Sequence, residues 1–292
     1  MKQVIEKRKA TNQETHLLFV DLTKAYDSIP ILKLWEVLGE SYINNTLIEA
    51  LQNRYGNTAQ VTIGTKLSYP FNNAKGLCQG CCISPTLFKI YIRKALEEWK
   101  RKCHGMGIPL ENITLYTLQY ADEQVVLVGN KEYLEYTTHK LKETYEKCGL
   151  DMNLSKIKHL CTGGTHNNLK LDKDNENEFC QEYKYLGVSF DTSGTDDKEV
   201  RSRVIQARKC IVCLNGILWS KDITKERKLN IYNALIKSSL LYGSETWRLT
   251  ENNKTRVEAT EMDALRRSSR TSREDRNVTI RQQIGLEETI IK

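Results

Sequence analysis

Apolar and polar positions along this chain follow two rhythms: short apolar or alternating runs predict strands up to about residue 192, and only helical spacing is convincing after it. The run HLLFVDL, His16 to Leu22, is apolar until it reaches Asp21, as in a buried strand whose C-terminal end presents an acid. Pro30 opens a helical stretch, ILKLWEVLGESYINNTLIEALQNRYGNT, broken near Gly39 and ending at Gly56-Asn57. AQVTIGTKLSYPFN alternates around Gly64-Thr65 and predicts a hairpin. SPTLFKIYIRKALEEWKRK carries Ser84 at the expected N-cap, Pro85 at the first helical position and apolar residues at helical spacing, so a long half-buried helix is expected.

The stretch LQYADEQVVLV then sets Asp122 and Glu123 between a strand expected from Thr114 to Ala121 and another from Gln124 to Val128. A solvated turn explains the acids simply; a turn aiming a carboxylate at a metal ion explains them too, if a second carboxylate arrives from elsewhere. KEYLEYTTHKLKETYEKCGL reads as an amphipathic helix closed by Gly149, KIKHLC as a strand, residues 163 to 179 as a surface loop or weak edge hairpin, and EYKYLGVSFD as strand again. From Asp196 the helical patterns are DKEVRSRVIQARKCIVCLNGIL, TKERKLNIYNALIKSSLLYGSETW and NKTRVEATEMDALRRSSR. The expected organisation is a mixed α/β domain over 1–192 and a basic helical domain over 193–292.

Charge sharpens that division. From Arg201 onward there are 19 Lys and Arg against 11 Asp and Glu, whereas the first 200 residues hold 25 against 26, so the net charge of +7 resides in the C-terminal third. A segregated basic region suits a polyanionic partner such as nucleic acid, or is simply a solvated helix face. Nine scattered cysteines, an odd number, argue against a secreted disulfide framework, and neither Cys78/Cys81 nor Cys210/Cys213 has a second pair at zinc-finger spacing. With no long apolar run and no apolar segment behind the charged start, no membrane span or secretory signal is expected, and the expected location is intracellular, nucleus or cytoplasm.

Two carboxylates from neighbouring strand ends, Asp21 and Asp122, would meet at one point, the donor type that Mg²⁺ takes alongside substrate phosphates. With these residues in view the chain resembles the reverse transcriptases of non-LTR (LINE-type) retrotransposons. FVDLTKAYDSIP is similar to the first palm motif of that family, GLCQGCCISPTLFKIYI to the second and YADE to its YADD box. GLDMNLSKIKHL is similar to its GL-x-x-N-x-x-K motif, EYKYLGVSF to its primer-grip strand pair, and LIKSSLLYGSETWRLT with EMDALRR to its thumb region.

The resemblance implies an α/β polymerase palm, an antiparallel sheet flanked by helices, with partial fingers and followed by an all-helical thumb. It implies RNA-directed DNA synthesis by nucleotidyl transfer with two Mg²⁺ (or Mn²⁺) ions, an RNA template, a DNA primer and deoxynucleoside triphosphates; no membrane partner is implied and no protein partner is identified. Carried over by position, Asp21 and Asp122 would hold metal with the Leu22 carbonyl as a further oxygen, Glu123 completing the catalytic acids. Tyr26 would exclude a ribose 2′-hydroxyl, Gln79 and Gly80 would lie beside the incoming nucleotide, and Lys156 would stand near the leaving pyrophosphate. Taken singly, Asp21 also reads as a helix N-cap, Tyr26 as a core aromatic, Gln79 as a turn residue and Lys156 as a surface lysine, and Asp27 reads as structural. Two departures matter: Glu123 stands where the family has Asp, and only twenty residues precede Asp21. A truncated retroelement polymerase with impaired activity is therefore expected, the alternative being an inactive nucleic-acid-binding remnant or an unselected, poorly folded product.

Overall fold

Thr15–Val20, six residues buried without a break, form an inner strand of the main sheet, as an apolar run covered on both faces should. The structure, a computed structural model, describes every residue except 56, 57, 73, 165–167, 171–175, 178, 273, 287, 288 and 292. The described residues form two compact units, one made of Met1 with Lys7–Gln181 and the other of Lys2–Glu6 with Glu182–Lys292. Helix α1 (Lys2–Ala10), for which the sequence pattern offered no element, contributes residues to both.

In the first unit β1 (Thr15–Val20) leads to the short α2 (Ala25–Ser28), then α3 (Ile31–Gly39) and α4 (Asn45–Tyr55). The expected break near Gly39 is present, and the expected stop at Gly56-Asn57 lies outside the described residues. The predicted hairpin is a nested pair: β2 (Thr58–Ala59), β3 (Thr62–Ile63), β4 (Lys66–Leu67) and β5 (Phe71–Asn72), with β3 on β4 and β2 on β5. Next comes α5 (Ser84–Lys102), whose buried residues include Leu87, Phe88, Tyr91, Ile92, Ala95, Leu96 and Trp99 at helical spacing. Ser84 is not its N-cap. Ile83 holds that position, and the Ser84 hydroxyl donates instead to the Cys78 carbonyl at 2.7 Å and lies 3.0 Å from the Tyr55 hydroxyl, a buried tie that outcompetes capping.

The strand expected over Thr114–Ala121 is two strands. β6 (Ile108–Leu110) pairs with β7 (Ile113–Leu115), and after Tyr116 the chain re-forms as β8 (Thr117–Tyr120), which pairs with β9 (Glu123–Val128). The Tyr116 hydroxyl accepts from the Gly105 N–H at 3.3 Å and its ring meets Trp99 edge-on, so packing fixes the break. Helix α6 (Lys131–Lys147) starts at an Asn130 cap that accepts from the Tyr133 N–H at 2.8 Å. β10 (Lys158–Thr162) completes the main sheet, and β11 (Leu169–Lys170) with β12 (Glu176–Asn177) is the described part of the expected edge hairpin.

The main sheet is antiparallel in the order β10-β1-β9-β8. Because side chains alternate, Leu18, Val20, Val126 and Val128 fall on one face, in a core with α3, α5 and α6, while Leu17, Phe19, Val125 and Leu127 fall on the other. Gln124, opposite Val20, accepts from the buried Tyr145 hydroxyl of α6 at 2.5 Å and donates to Thr117 Oγ1 at 2.9 Å, so its burial is satisfied.

In the second unit β13 (Glu182–Tyr185) and β14 (Val188–Asp191) form a hairpin, followed by α7 (Asp197–Cys213), α8 (Asn215–Trp219), α9 (Lys225–Ile231), a π-helical turn (Tyr232–Lys237) and α10 (Ser238–Leu240). Two more helices follow, α11 (Glu251–Ser269) and α12 (Asn277–Ile284). The helix expected through Trp247 stops at Leu240, ahead of Gly243 at φ 78°. The hairpin tip, Leu186 at φ 49° and Gly187 at φ 77°, has the two left-handed residues of a tight primed turn. Arg203 of α7 donates to the Gly187 carbonyl, lies over the Tyr242 ring at 4.6 Å and pairs with Glu199 at 2.6 Å; Glu199 also accepts from the Ser189 N–H at 2.8 Å. Both charged groups are buried. Arg203→Met is expected to cost about 3–5 kcal/mol, since it strands a buried carboxylate, and adding Glu199→Gln should recover much of it. Denaturant melting of the three proteins reads this; an Arg203→Met loss below about 1 kcal/mol would contradict it.

Candidate active site

The β1–β9 register, with Val20 opposite Gln124, carried one residue further sets Asp21 level with Glu123, and carried two sets Leu22 level with Asp122. Alternation then gives Asp21 the face of Leu17 and Phe19, away from the core under α5 and α6. The loop between β8 and β9 is only Ala121 and Asp122, because Tyr120 already pairs with Glu123. Glu123 is therefore the first residue of β9 and exposed, while Asp122 sits in the turn and is half-buried. Ala121 takes φ 53°, a left-handed conformation that costs a residue with a Cβ about 1–2 kcal/mol, and its carbonyl accepts from Gln119 Nε2 at 2.9 Å.

A second segment closes on Asp21 from the other side. The Asn153 N–H donates to the Asp21 carbonyl at 2.9 Å and the Thr23 N–H to the Asp151 carbonyl at 2.8 Å, around a Leu22–Met152 bridge. This pairing uses the Asp21 carbonyl and the Thr23 N–H, so the Leu22 carbonyl is not spent on it. Asn153 then turns the chain: its side-chain oxygen accepts from Ser155 Oγ at 2.7 Å and its carbonyl from the Lys156 N–H at 3.0 Å. Lys156 Nζ thereby reaches Asp21 Oδ2 at 3.1 Å. Lys156 is largely exposed, so the pair adds about 0–1 kcal/mol to stability and is free to re-form on an anionic ligand. Asn153, which sequence reading quoted within a motif but gave no role, is the positioning residue here.

Tyr26 stands on α2, stacked on Phe88 at 5.0 Å between ring centroids. Burial, and after it the Asp122 carboxylate, pushes the Tyr26 phenol above its ordinary range, which puts Tyr26 within electrostatic reach of Asp122. The Leu77 N–H donates to the Tyr26 carbonyl and the Gly76 N–H to the Ile29 carbonyl, each at 2.8 Å, zipping residues 76–77 onto the segment after Asp21. Gln79 Nε2 accordingly reaches Asp27 Oδ1 at 3.2 Å, and Gly80, at φ 82° with open space around it, leaves bare backbone exposed. Asp21 is not an N-cap: α2 begins at Ala25 after Lys24.

Asp21, Leu22, Tyr26, Asp122, Glu123 and Lys156 thus gather around the ends of β1 and β9, with Gln79 tied to α2 through Asp27 and Gly80 next to it in the chain. Asp21, Asp122 and Glu123 do not close into a three-donor cluster; among the described residues that arrangement occurs only at the opposite end of β1. The donors at the Asp21 end are carboxylate and carbonyl oxygens alone, the set that fits Mg²⁺ or Mn²⁺.

Residues 1–190 match the family described as reverse transcriptase (RNA-dependent DNA polymerase). The chain belongs to this family. Over 257 residues, 82% of its length, it is 24% identical to the RNA-directed DNA polymerase from mobile element jockey of Drosophila funebris. Over 210 residues, 68% of its length, it is 25% identical to the retrovirus-related Pol polyprotein from type-1 retrotransposable element R2 of Bradysia coprophila. With these relatives, the chain is similar to the reverse-transcriptase-like domain of non-LTR retrotransposons. The chain spans only 27% and 24% of their lengths. Its fold is similar to part of a telomerase from Candida tropicalis solved with a TWJ fragment of telomeric RNA: TM-score 0.50 at 11% identity, covering 98% of this chain and 51% of that one. The fold class is α/β, with an antiparallel sheet flanked by helices as in a polymerase palm. No described helix is long and apolar enough to cross a membrane.

Proposed function

We propose that the chain carries the catalytic domain of a retroelement polymerase that extends a DNA primer on an RNA template from deoxynucleoside triphosphates. The observation that supports this reading is the register of β1 on β9, which brings Asp21 and the Asp122 turn to one sheet end, with Lys156 on Asp21 and Tyr26 within the influence of Asp122. Asp21, Asp122 and the Leu22 carbonyl would hold the metal, with Glu123 beside Asp21. Two divalent ions bound there supply activation of the primer 3′-hydroxyl and stabilisation of the leaving pyrophosphate. Lys156, released from Asp21, would carry positive charge to the pyrophosphate and donate its proton to it. Gly80 would let backbone approach the nucleotide, with Gln79 held by Asp27. In this reading residues 1–192 are palm with partial fingers and 193–292 the thumb, where Arg201, Arg208 and Lys209 on exposed positions of α7 would meet phosphates.

Primer extension tests the proposal: the purified chain, a DNA primer annealed to RNA, four deoxynucleotides and Mg²⁺ should give products reaching the template end. Absence of product with Mg²⁺ and with Mn²⁺, from protein that melts cooperatively, would refute it. Tyr26 is expected to set sugar selectivity by filling the space of a 2′-hydroxyl, so Tyr26→Val should raise ribonucleotide incorporation relative to deoxynucleotide by about tenfold or more, the worth of about 1.4 kcal/mol. Unchanged selectivity would remove Tyr26 from that role.

A further inference from the structure

At the end of β1 far from Asp21, the β1–β10 register sets His16 directly opposite Cys161, so both side chains share one face of the sheet. His16 is 2% exposed and Cys161 is fully buried. Glu14, just before the strand, turns its carboxylate to the same point: Glu14 Oε1 is 3.6 Å and Cys161 Sγ 3.8 Å from His16 Nε2, and one donor atom of each residue lies within 4.8 Å of the others. Three further features hold this arrangement. The other imidazole nitrogen of His16, Nδ1, is 3.0 Å from His159 Nε2, with the rings stacked at 5.3 Å and 9°. At Gly164 a Cβ would come within 2.2 Å of Glu14 Oε2 and 2.9 Å of Cys161 Sγ, so only glycine leaves room for the carboxylate beside the sulfur. Arg8 donates to the Glu14 carbonyl at 2.5 Å and to Thr15 Oγ1 at 2.9 Å, fixing the backbone that carries Glu14.

We infer that Glu14, His16 and Cys161 form a zinc site, with solvent at the fourth position. Zinc bonds of about 2.3 Å to sulfur and 2.0–2.2 Å to nitrogen and oxygen require ligand separations of about 3.4–3.6 Å in a tetrahedron, a few tenths of an ångström below the two separations that His16 Nε2 makes with Glu14 and Cys161. A thiol, an imidazole and a carboxylate suit zinc and not Mg²⁺, which separates this site from the all-oxygen one at Asp21. His159 acts as the outer partner that orients the ligating imidazole, leaving Nε2 for the metal. Binding exchanges the Cys161 thiol proton, lost to solvent, for a sulfur–zinc bond. The two strands so joined are 145 residues apart in sequence, and the site would pin the edge strand β10 to β1.

Cobalt(II) added to the reduced, metal-free full chain is the test. The expected result is one equivalent bound per chain with thiolate-to-cobalt charge-transfer absorption, displaced by zinc, and a higher melting temperature with zinc. Cys161→Ser should abolish the absorption, and Glu14→Gln, at a partly exposed position, should weaken binding at least tenfold while the protein still folds. Gly164→Ala should weaken it similarly. Folded wild-type protein without the absorption would overturn the inference, as would absorption and affinity unchanged by Glu14→Gln or by Cys161→Ser, which would assign the metal to other thiols such as Cys78 and Cys81.

Discussion

Asp21→Asn is expected to lower nucleotide incorporation by about 10³-fold or more while leaving the melting temperature within a few degrees of the parent. The substitution keeps shape and removes charge. Fold is spared because the bonds that place residue 21 are backbone ones, the Asn153 N–H on its carbonyl and the strand register behind it. Among the described residues its carboxylate pairs with Lys156, an exposed lysine whose pairing contributes about 0–1 kcal/mol. On the proposed function, what is lost is one of the two carboxylates that would hold the metal, and hard cations depend on such anionic oxygen ligands. Single-turnover extension with a parallel thermal melt separates the two effects; a variant within tenfold of the parent would exclude Asp21 as a metal ligand.

The second large effect runs the other way. Glu123→Asp is expected to raise the incorporation rate, by up to about a hundredfold, because a misplacement of about 1 Å at a reacting centre can cost that much. Residue 123 opens β9 level with Asp21, so its carboxylate extends along the same sheet edge and the extra methylene of Glu carries it past the position an Asp would take. The residue is exposed and the strand behind it is anchored by Gln124, so shortening it should leave stability nearly unchanged. The rate constant for one nucleotide, measured for both proteins at saturating substrate, decides; an equal rate in Glu123→Asp would mean that Glu123 takes no part in metal placement, and a lower one that the longer carboxylate fits the site better.

Part of this site was legible in the chain because strand ends announce themselves: an apolar run stops at Asp21 and a turn between two strands holds Asp122, although that turn is Ala121-Asp122 and not the expected Asp122-Glu123, because Tyr120 already pairs with Glu123. What brings distant segments together was not legible. Nothing local in GLDMNLSK indicates that residues 151–153 pair against 21–23, since that pairing is a single bridge decided by tertiary packing. The same holds for His16 and Cys161, whose meeting depends on which strand takes the outer edge of the sheet. The misreadings share a cause. Ser84 looked like a cap and Thr114–Ala121 like one strand because local propensity favours both, whereas buried partners, the Tyr55 hydroxyl and Cys78 carbonyl for Ser84 and Trp99 for Tyr116, outweighed it. The hairpin tip at Leu186-Gly187 shows the reverse, with Leu186 held left-handed where glycine would be easier; its carbonyl accepts from the Tyr242 hydroxyl at 3.1 Å.

The most direct measurement is incorporation of one deoxynucleotide into a DNA primer on an RNA template, with Mg²⁺, by the full chain and by Asp122→Asn under identical conditions. The account predicts template-directed addition by the parent and its loss in the variant, with matching cooperative melts for the two proteins. Equal incorporation by both, or none by a well-folded parent, would contradict it.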